Sequence, residues 1–275
     1  MLRRAPAAPL RPFVETLWLS DAPALGPREI VLPTGAMHVV VRLSDTPLVV
    51  YDSLDDPTGR ELGCAVVGGA RTTAYVRDMS RPTRAVGASL WPGAAELLFG
   101  VPADALAGRH TRLDALWGAF TRELRDRVRA AATPADQLDE FERLLTSRLH
   151  RGGGVHPAVG YALERLRHGD PVAAVVGATG YSHRAFNALF LRAVGLTPKR
   201  WGRVQRLSRA LAQPAETPWT EVAHAAGYSD QAHLTREFRA MAGITPGRWR
   251  AAAPSEPRHV LVKNVQDGGR AGGRG

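Results

Sequence analysis

The sequence predicts an α+β protein of two domains, a β-rich N-terminal domain with trailing helices and an all-α C-terminal domain. Three observations carry this reading. Short apolar, β-branched runs recur about every ten residues through the first hundred positions. From Ala94 onward the apolar spacing becomes helical. A motif at Gly180 then recurs 47 to 48 residues later, so the C-terminal part holds two copies of a short helix, a turn and a second helix.

The strands come first. Ile30-Val31-Leu32 is stopped by Pro33. Met37 to Leu43 is β-branched and bounded by Gly35 and Ser44-Asp45. Leu48 to Tyr51 and Ala65 to Val67 follow, with Thr83 to Leu90 as a further candidate. Short strands at this spacing predict a compact antiparallel sheet or small barrel. Ala94 to Phe99 reads as one or two helical turns, and Leu113 to Ala131 and Ala135 to Leu149 as helices. Leu138, Phe141, Leu144, Leu145 and Leu149 form a one-sided stripe, read as core or as a dimer contact. Thr133-Pro134 separates the two helices, with proline at the first position of the second.

Arg151-Gly-Gly-Gly-Val marks a linker at 151–155, dividing a domain over 1–150 from one over 156–252. As a phosphate loop it lacks a preceding strand and a following Lys-Ser/Thr. Beyond the linker, Val159, Leu163 and Leu166 open a helix, and Asp170-Pro171 reads as an N-cap followed by a first-position proline. Residues 253–275 are expected to be a largely disordered tail. Within it, Val260, Val262 and Val265 allow a short strand.

Composition excludes several classes. The chain has 275 residues, 44% hydrophobic and 23% charged, which suits globular domains. A single cysteine, Cys64, excludes an internal disulfide framework and a cysteine-based zinc finger. No apolar run approaches the length of a membrane span, and MLRRAPAAPLRPF lacks the apolar core of a secretory signal. No membrane association and a cytoplasmic location are therefore expected.

The net charge of +10 is unevenly placed. Residues 1–150 carry 18 basic and 18 acidic side chains, whereas 171–250 carry 11 and 4. A neutral half joined to a basic one predicts a polyanionic partner for the second domain, most simply nucleic acid. Of the 36 basic residues only Lys199 and Lys263 are lysines, from which no function follows.

The repeat says how such a partner is read. Gly180-Tyr-Ser recurs as Gly227-Tyr-Ser, Gly195-Leu-Thr-Pro as Gly243-Ile-Thr-Pro, and Trp201 as Trp249. Short helices over Val172–Ala178 and Glu221–Ala226 precede the turns, and amphipathic helices over Ser182–Ala193 and Asp230–Met241 follow them. This is the helix-turn-helix plan. The glycine permits the sharp turn, and Ser182, with Ser229 or Asp230, can cap the second helix. Phe186 and Phe190, like Leu234 and Phe238, face inward at i, i+4. The opposite face carries His183, Arg184, Asn187 and Ala188 in one copy, and Gln231, His233, Thr235 and Arg236 in the other. Arginine pairs with guanine O6 and N7, and asparagine or glutamine with adenine N6 and N7. Between the copies, a helix over Lys199–Leu211 carries Trp201, Val204, Leu207 and Leu211 on one face, and Arg200, Arg203, Arg206 and Arg209 on another. Its ~20 Å length, with the packing at both ends, puts the second helices about one DNA turn, roughly 34 Å, apart. The arginines suit phosphates, which position a protein without specifying sequence.

Val172 to Arg250 resembles the DNA-binding domain of AraC/XylS-type transcriptional regulators. The carrying motifs are the two Gly-Tyr-Ser turns, each with its phenylalanine ten or eleven positions on. They also include Gly-Leu-Thr-Pro with Trp201, Arg206-Leu207 and Ala210-Leu211, and the closing Gly-Ile-Thr-Pro-Gly-Arg-Trp-Arg. The resemblance implies seven helices with two helix-turn-helix units joined by a long helix. It places Arg184 and Asn187 of the first unit, and Gln231, His233, Thr235 and Arg236 of the second, at bases. Phosphate contacts are expected from Ser182, His183, Lys199, Arg200, Arg203, Ser229 and Arg239. Ala188 departs from the longer polar residue common in the family, so the first unit is expected to read fewer bases or to lean on Arg184.

The N-terminal half shares no motif with the sugar-binding arm of that family. It is similar to a domain of actinobacterial-type AraC-like regulators through Leu10-Arg-Pro-Phe-Val-Glu with Trp18, Ile30-Val-Leu-Pro-Thr-Gly, Val67-Gly-Gly-Ala-Arg-Thr, Gly87 to Trp91-Pro-Gly-Ala-Ala, and Leu116-Trp117-Gly118. The implied role is regulatory or dimerising, open to a small-molecule effector, a homodimer and, for an activator, RNA polymerase.

Other chemistry reads weakly. Cys64 in Leu-Gly-Cys-Ala-Val is read as a buried structural thiol rather than a redox or methyl-accepting one. The nine histidines show no metal-binding spacing, and no cofactor is expected. Asp55-Asp56 belongs to a turn. Ser182 and His183 are adjacent in a helix start and cannot serve as nucleophile and base. Trp91-Pro92-Gly93 shapes backbone or lines a pocket. The expected function is a sequence-specific, non-enzymatic DNA-binding regulator. The alternatives are a DNA-repair or DNA-modifying enzyme with a catalytic N-terminal half, and an architectural binder of low specificity.

Overall fold

Residues 1–150 and 154–262 are described by a computed structural model. The N-terminal part runs β1 (Leu2–Arg4), β2 (Val14–Ala22), β3 (Arg28–Val31), β4 (Met37–Arg42), β5 (Val49–Tyr51), β6 (Arg60–Glu61), β7 (Ala65–Gly68), β8 (Tyr75–Asp78) and β9 (Thr83–Leu90). Then come α1 (Ala94–Phe99), α2 (Ala103–Leu106), β10 (His110–Arg112), α3 (Asp114–Trp117), α4 (Phe120–Ala130) and α5 (Pro134–Ser147). The C-terminal part is α6 (Pro157–His168), α7 (Val172–Ala178), α8 (His183–Val194), α9 (Pro198–Leu211), α10 (Trp219–Ala226), α11 (Gln231–Ala242), α12 (Pro246–Ala251) and β11 (His259–Val262). A β-rich domain is thus followed by an all-α domain with two helix-turn-helix units.

The strands form two antiparallel sheets, one in the order β1-β2-β9-β4-β7-β10 and one in the order β11-β3-β8-β5-β6. Alternation along the first sheet sends Leu17, Val39, Val41, Val67, Val86 and Ala88 to one buried face, with α5 packed on β2 and β9. The other face meets the second sheet, where the His110 ring stacks edge-on against Tyr75 with centroids 4.5 Å apart. Trp18 lies over Gly87 on this face, where any Cβ would run into its ring.

Several expectations need correction. The helix predicted over Leu113–Ala131 breaks at Gly118, whose φ of 57° only glycine adopts readily, giving α3 and α4. Asp170 does not cap α7. Pro171 is the N-cap residue, without a side-chain bond, and Asp170 pairs with Arg165 at 2.5 Å instead. Strand β2 was not predicted, because a bulge between Val14 and Thr16 shifts the phase of its alternation. Cys64 is half-buried rather than buried. The tail from 253 is not without structure: it includes β11, which pairs with β3 from His259↔Val31 to Val262↔Arg28. Val265, the Gly268–Gly275 segment and positions 151–153 of the linker lie outside the described residues.

Candidate nucleic-acid interface

Each helix-turn-helix unit is built the same way, with one local difference. In the first, Gly180 turns at φ 74° and the Ser182 side chain accepts the Ala185 N–H at 3.3 Å. In the second, Gly227 turns at φ 85°, but Asp230 is the cap, accepting the His233 N–H at 2.7 Å. The extra residue that shifts the repeat from 47 to 48 is therefore the insertion of a new cap after serine. Ser229, displaced from capping, bonds the His233 ring Nδ1 at 3.1 Å.

The inner faces are closed. Phe186, Phe190, Leu234 and Phe238 are all fully buried, and Trp201, Val204 and Leu207 of α9 pack beneath both units. Burial of each such side chain contributes about 1.5–3 kcal/mol. The outer faces are open: His183, Arg184, Asn187 and Ala188 on α8, and Gln231, Arg236 and Arg239 on α11, are exposed. Thr235 is half-buried, and so is His233, which stands edge-on to the Tyr228 ring with centroids 5.3 Å apart. Lys199 and Arg200, in the first turn of α9, are exposed.

The arginine row along α9 divides into different jobs. Arg203 Nε donates to Glu237 of α11 at 2.7 Å, and Arg206 reaches the same carboxylate at 3.2 Å. Arg209 donates to Ala226 O at 3.1 Å and to Arg167 O at 2.9 Å, filling open carbonyls at the ends of α10 and α6. Arg206 and Arg209 are thus held inside the domain, contrary to a reading of the whole row as phosphate ligands. The period of three showed the row but not Glu237, which lies 31 to 34 residues away in sequence. Tyr228 is buried beside this carboxylate, and burial with the Glu237 charge pushes its hydroxyl up to about 12. Its repeat equivalent, Tyr181, is exposed and touches His156.

A second polar cluster, missed in the sequence, lies between the two sheets. Arg71 stacks over Tyr75 at 4.5 Å and approaches His110 Nδ1 at 3.2 Å. Burial and the Arg71 charge push His38 down to about 4 and hold His110 low. Arg71 Nε and His110 Nε2 have no hydrogen-bond partner. Its members are scattered over four strands and loops, so no local motif announces it. Trp91-Pro92-Gly93 shapes backbone, with Gly93 at φ 95° capping α1. Among the described residues no group of His, Cys, Asp and Glu could hold a metal ion, and no helix is long and apolar enough to cross a membrane.

Comparison with known proteins finds a family-model match in each part of the chain. Residues 175–252 match a family model described as a helix-turn-helix domain, a span that takes in most of α7 and all of α8 to α12. Residues 2–112 match a model described as a domain of unknown function, DUF6597. Nothing ties that part to the actinobacterial-type domain expected from its motifs. No curated protein matches the chain. Among solved structures, ToxT from Vibrio cholerae in its P21 form is 7% identical, covering 86% of this chain and 98% of that one with a TM-score of 0.49. ToxT from Vibrio cholerae O395 is 7% identical over 86% and 97%, with a TM-score of 0.45. The AraC-like transcriptional activator CuxR is 16% identical over 76% and 86%, with a TM-score of 0.23.

Proposed function

We propose that the chain is a sequence-specific DNA-binding transcriptional regulator of the AraC/XylS type. Its two recognition helices, α8 and α11, read successive major-groove segments. The carrying observation is that both repeat copies bury one face of the second helix completely, while the opposite, polar face is open along α8 and at Gln231, Arg236 and Arg239 of α11. Arg184 and Asn187, with Gln231, His233, Thr235 and Arg236, are assigned to bases. Ser182, His183, Lys199, Arg200, Arg203, Ser229 and Arg239 are assigned to phosphates, Ser182 and Ser229 through the helix start. Arg203 suits this because Glu237 takes its Nε and leaves its two terminal nitrogens for an anion. The first 150 residues are assigned the regulatory role, open to a small-molecule effector, a second copy of the chain or RNA polymerase.

In-vitro selection from a random duplex library with the full chain tests this. The expected motif has two blocks about ten base pairs apart. Strong, salt-sensitive binding without a motif would instead mark an architectural binder. Two substitutions sort the contacts. Arg236→Ala should relax selection at one or two base pairs, a loss of about 1–3 kcal/mol there. Arg200→Ala should weaken all sequences alike and reduce the salt slope by about 0.9. Identical effects from both, measured by titration over a salt series, would undo the assignment.

A further inference from the structure

The recognition helices end alike, and the N-terminal domain holds both ends. A helix leaves its last carbonyls without intrahelical partners. In α8 the Gly195 N–H returns to Leu191 O at 2.8 Å, and in α11 the Gly243 N–H returns to Arg239 O at 2.9 Å. The carbonyl two residues before each glycine is left over: Ala193 in α8 and Met241 in α11, equivalent positions of the repeat. Each accepts a backbone N–H from the N-terminal domain. Gly93 donates to Ala193 O at 2.8 Å, and Ala74 donates to Met241 O at 2.6 Å. The donors are separate in sequence, one capping α1 and one preceding β8, but both elements belong to the same packed core.

Further contacts surround the α8 anchor. Glu96 of α1 pairs with Arg192 at 2.6 Å. Gly195 lies so close to α2 that a Cβ there would stand 3.0 Å from Ala103 O. Both anchors grip the C-terminal ends of the recognition helices and leave the ends bearing Arg184, Asn187 and Gln231 open.

We propose that the N-terminal domain is a two-point brace that sets the separation of α8 and α11, with Ala74, Gly93 and Glu96 as positioning residues. Its consequence for DNA rests on the reading above; the brace itself does not. Without it, the separation depends on α9 and the packing at its ends. One base pair is a step of about 3.4 Å along the duplex and roughly 35° around it, so a small relaxation changes which half-site spacing fits. Spacing selectivity then belongs to the whole chain rather than to the helix-turn-helix domain.

The brace is measured as a distance in the full chain. Spin labels go on cysteines replacing Ala188 and Ala232, both exposed, in a Cys64→Ser background. Three further proteins carry Ala74→Pro, which removes one donor, Glu96→Arg, which sets like charges against each other, and Glu96→Arg with Arg192→Glu, which restores the pair reversed. The parent should give one narrow distance, the first two variants a broadened one, and the charge swap a narrow one again. Glu96→Arg alters only a surface pair, so it decides the matter even where Ala74→Pro fails to fold. Unchanged distances in Glu96→Arg, or broadening that the swap does not reverse, would overturn the brace. Unlabelled proteins then meet a two-block duplex with one base pair inserted. The parent should lose about tenfold or more in affinity and Glu96→Arg less than about threefold, whereas equal losses would also count against it. A parent that binds no two-block DNA would sink the DNA reading while the distances still judge the brace.

Discussion

Glu237→Gln should tighten binding to random DNA, steepen its salt dependence and reduce the ratio of specific to non-specific affinity. The carboxylate is 13% exposed and lies between Arg203 at 2.7 Å and Arg206 at 3.2 Å, with His233 Nε2 3.9 Å away. It is the one acidic side chain of α11, facing a basic row. Removing its charge leaves two guanidinium groups without an internal counter-ion beside the proposed DNA face. A newly available cation that reaches a phosphate adds about 0.9 to the slope of log affinity against log salt. The same change costs stability, because a partly buried charge pair is broken. Both arginines keep about a third of their surface in water, so solvent screening holds that cost to roughly 1–2 kcal/mol. Titrations over a salt series with a selected duplex and a scrambled one check the prediction. Weaker binding to both duplexes with an unchanged slope would show that Glu237 orders Arg203 rather than restraining it.

Ending the chain at Pro257 should destabilise both domains together and make the protein self-associate. The removed segment contains β11, whose ladder covers the outer edge of β3, and Val260, 4% exposed. It also contains Arg258, which donates to Pro33 O and to Ser208 Oγ of α9 at 2.7 Å and so bridges the two domains. Another link goes with it: His259 meets Glu29 at 3.1 Å, where Arg77 also pairs at 2.6 Å. Burial works against the Glu29 charge, but His259 and Arg77 outweigh it and hold the carboxyl below its ordinary range. Losing one buried apolar strand residue and two bridging contacts should cost about 3–4 kcal/mol. At about 2.1 cal/mol/K of unfolding entropy per residue, that corresponds to a Tm lower by roughly 5–7 °C for 275 residues. The freed β3 edge offers unpaired backbone groups to other copies. Thermal melts and light scattering at two protein concentrations check this. A truncated protein with unchanged Tm and no association would mean that β11 adds nothing to the sheet.

These two predictions divide along a line between local and long-range information. The double helix-turn-helix could be read in advance. Its apolar positions recur with the helical period, its turns need glycine, and its caps are serine or aspartate at the start of a run. Each of these is a property of about four neighbouring residues. The exposed positions of Arg184, Asn187, Gln231 and Arg236 followed from the same period. The weaker strands were less legible. Strand β2 loses its alternation at a bulge, and β10, His-Thr-Arg, extends only because β7 offers it an edge.

By itself, then, the sequence determined a neutral β-rich half, a basic helical half, the two repeated units and the faces they turn outward. Periodicity and local turn chemistry need no distant partner. Only the tertiary structure decided that Arg206 and Arg209 serve the domain interior, that His259–Val262 completes the sheet of the other domain, and that Gly93 and Ala74 seize equivalent carbonyls of α8 and α11. Each of these depends on an open hydrogen-bonding group or charge at one place meeting its complement tens to hundreds of residues away. That encounter is set by packing, not by spacing along the chain.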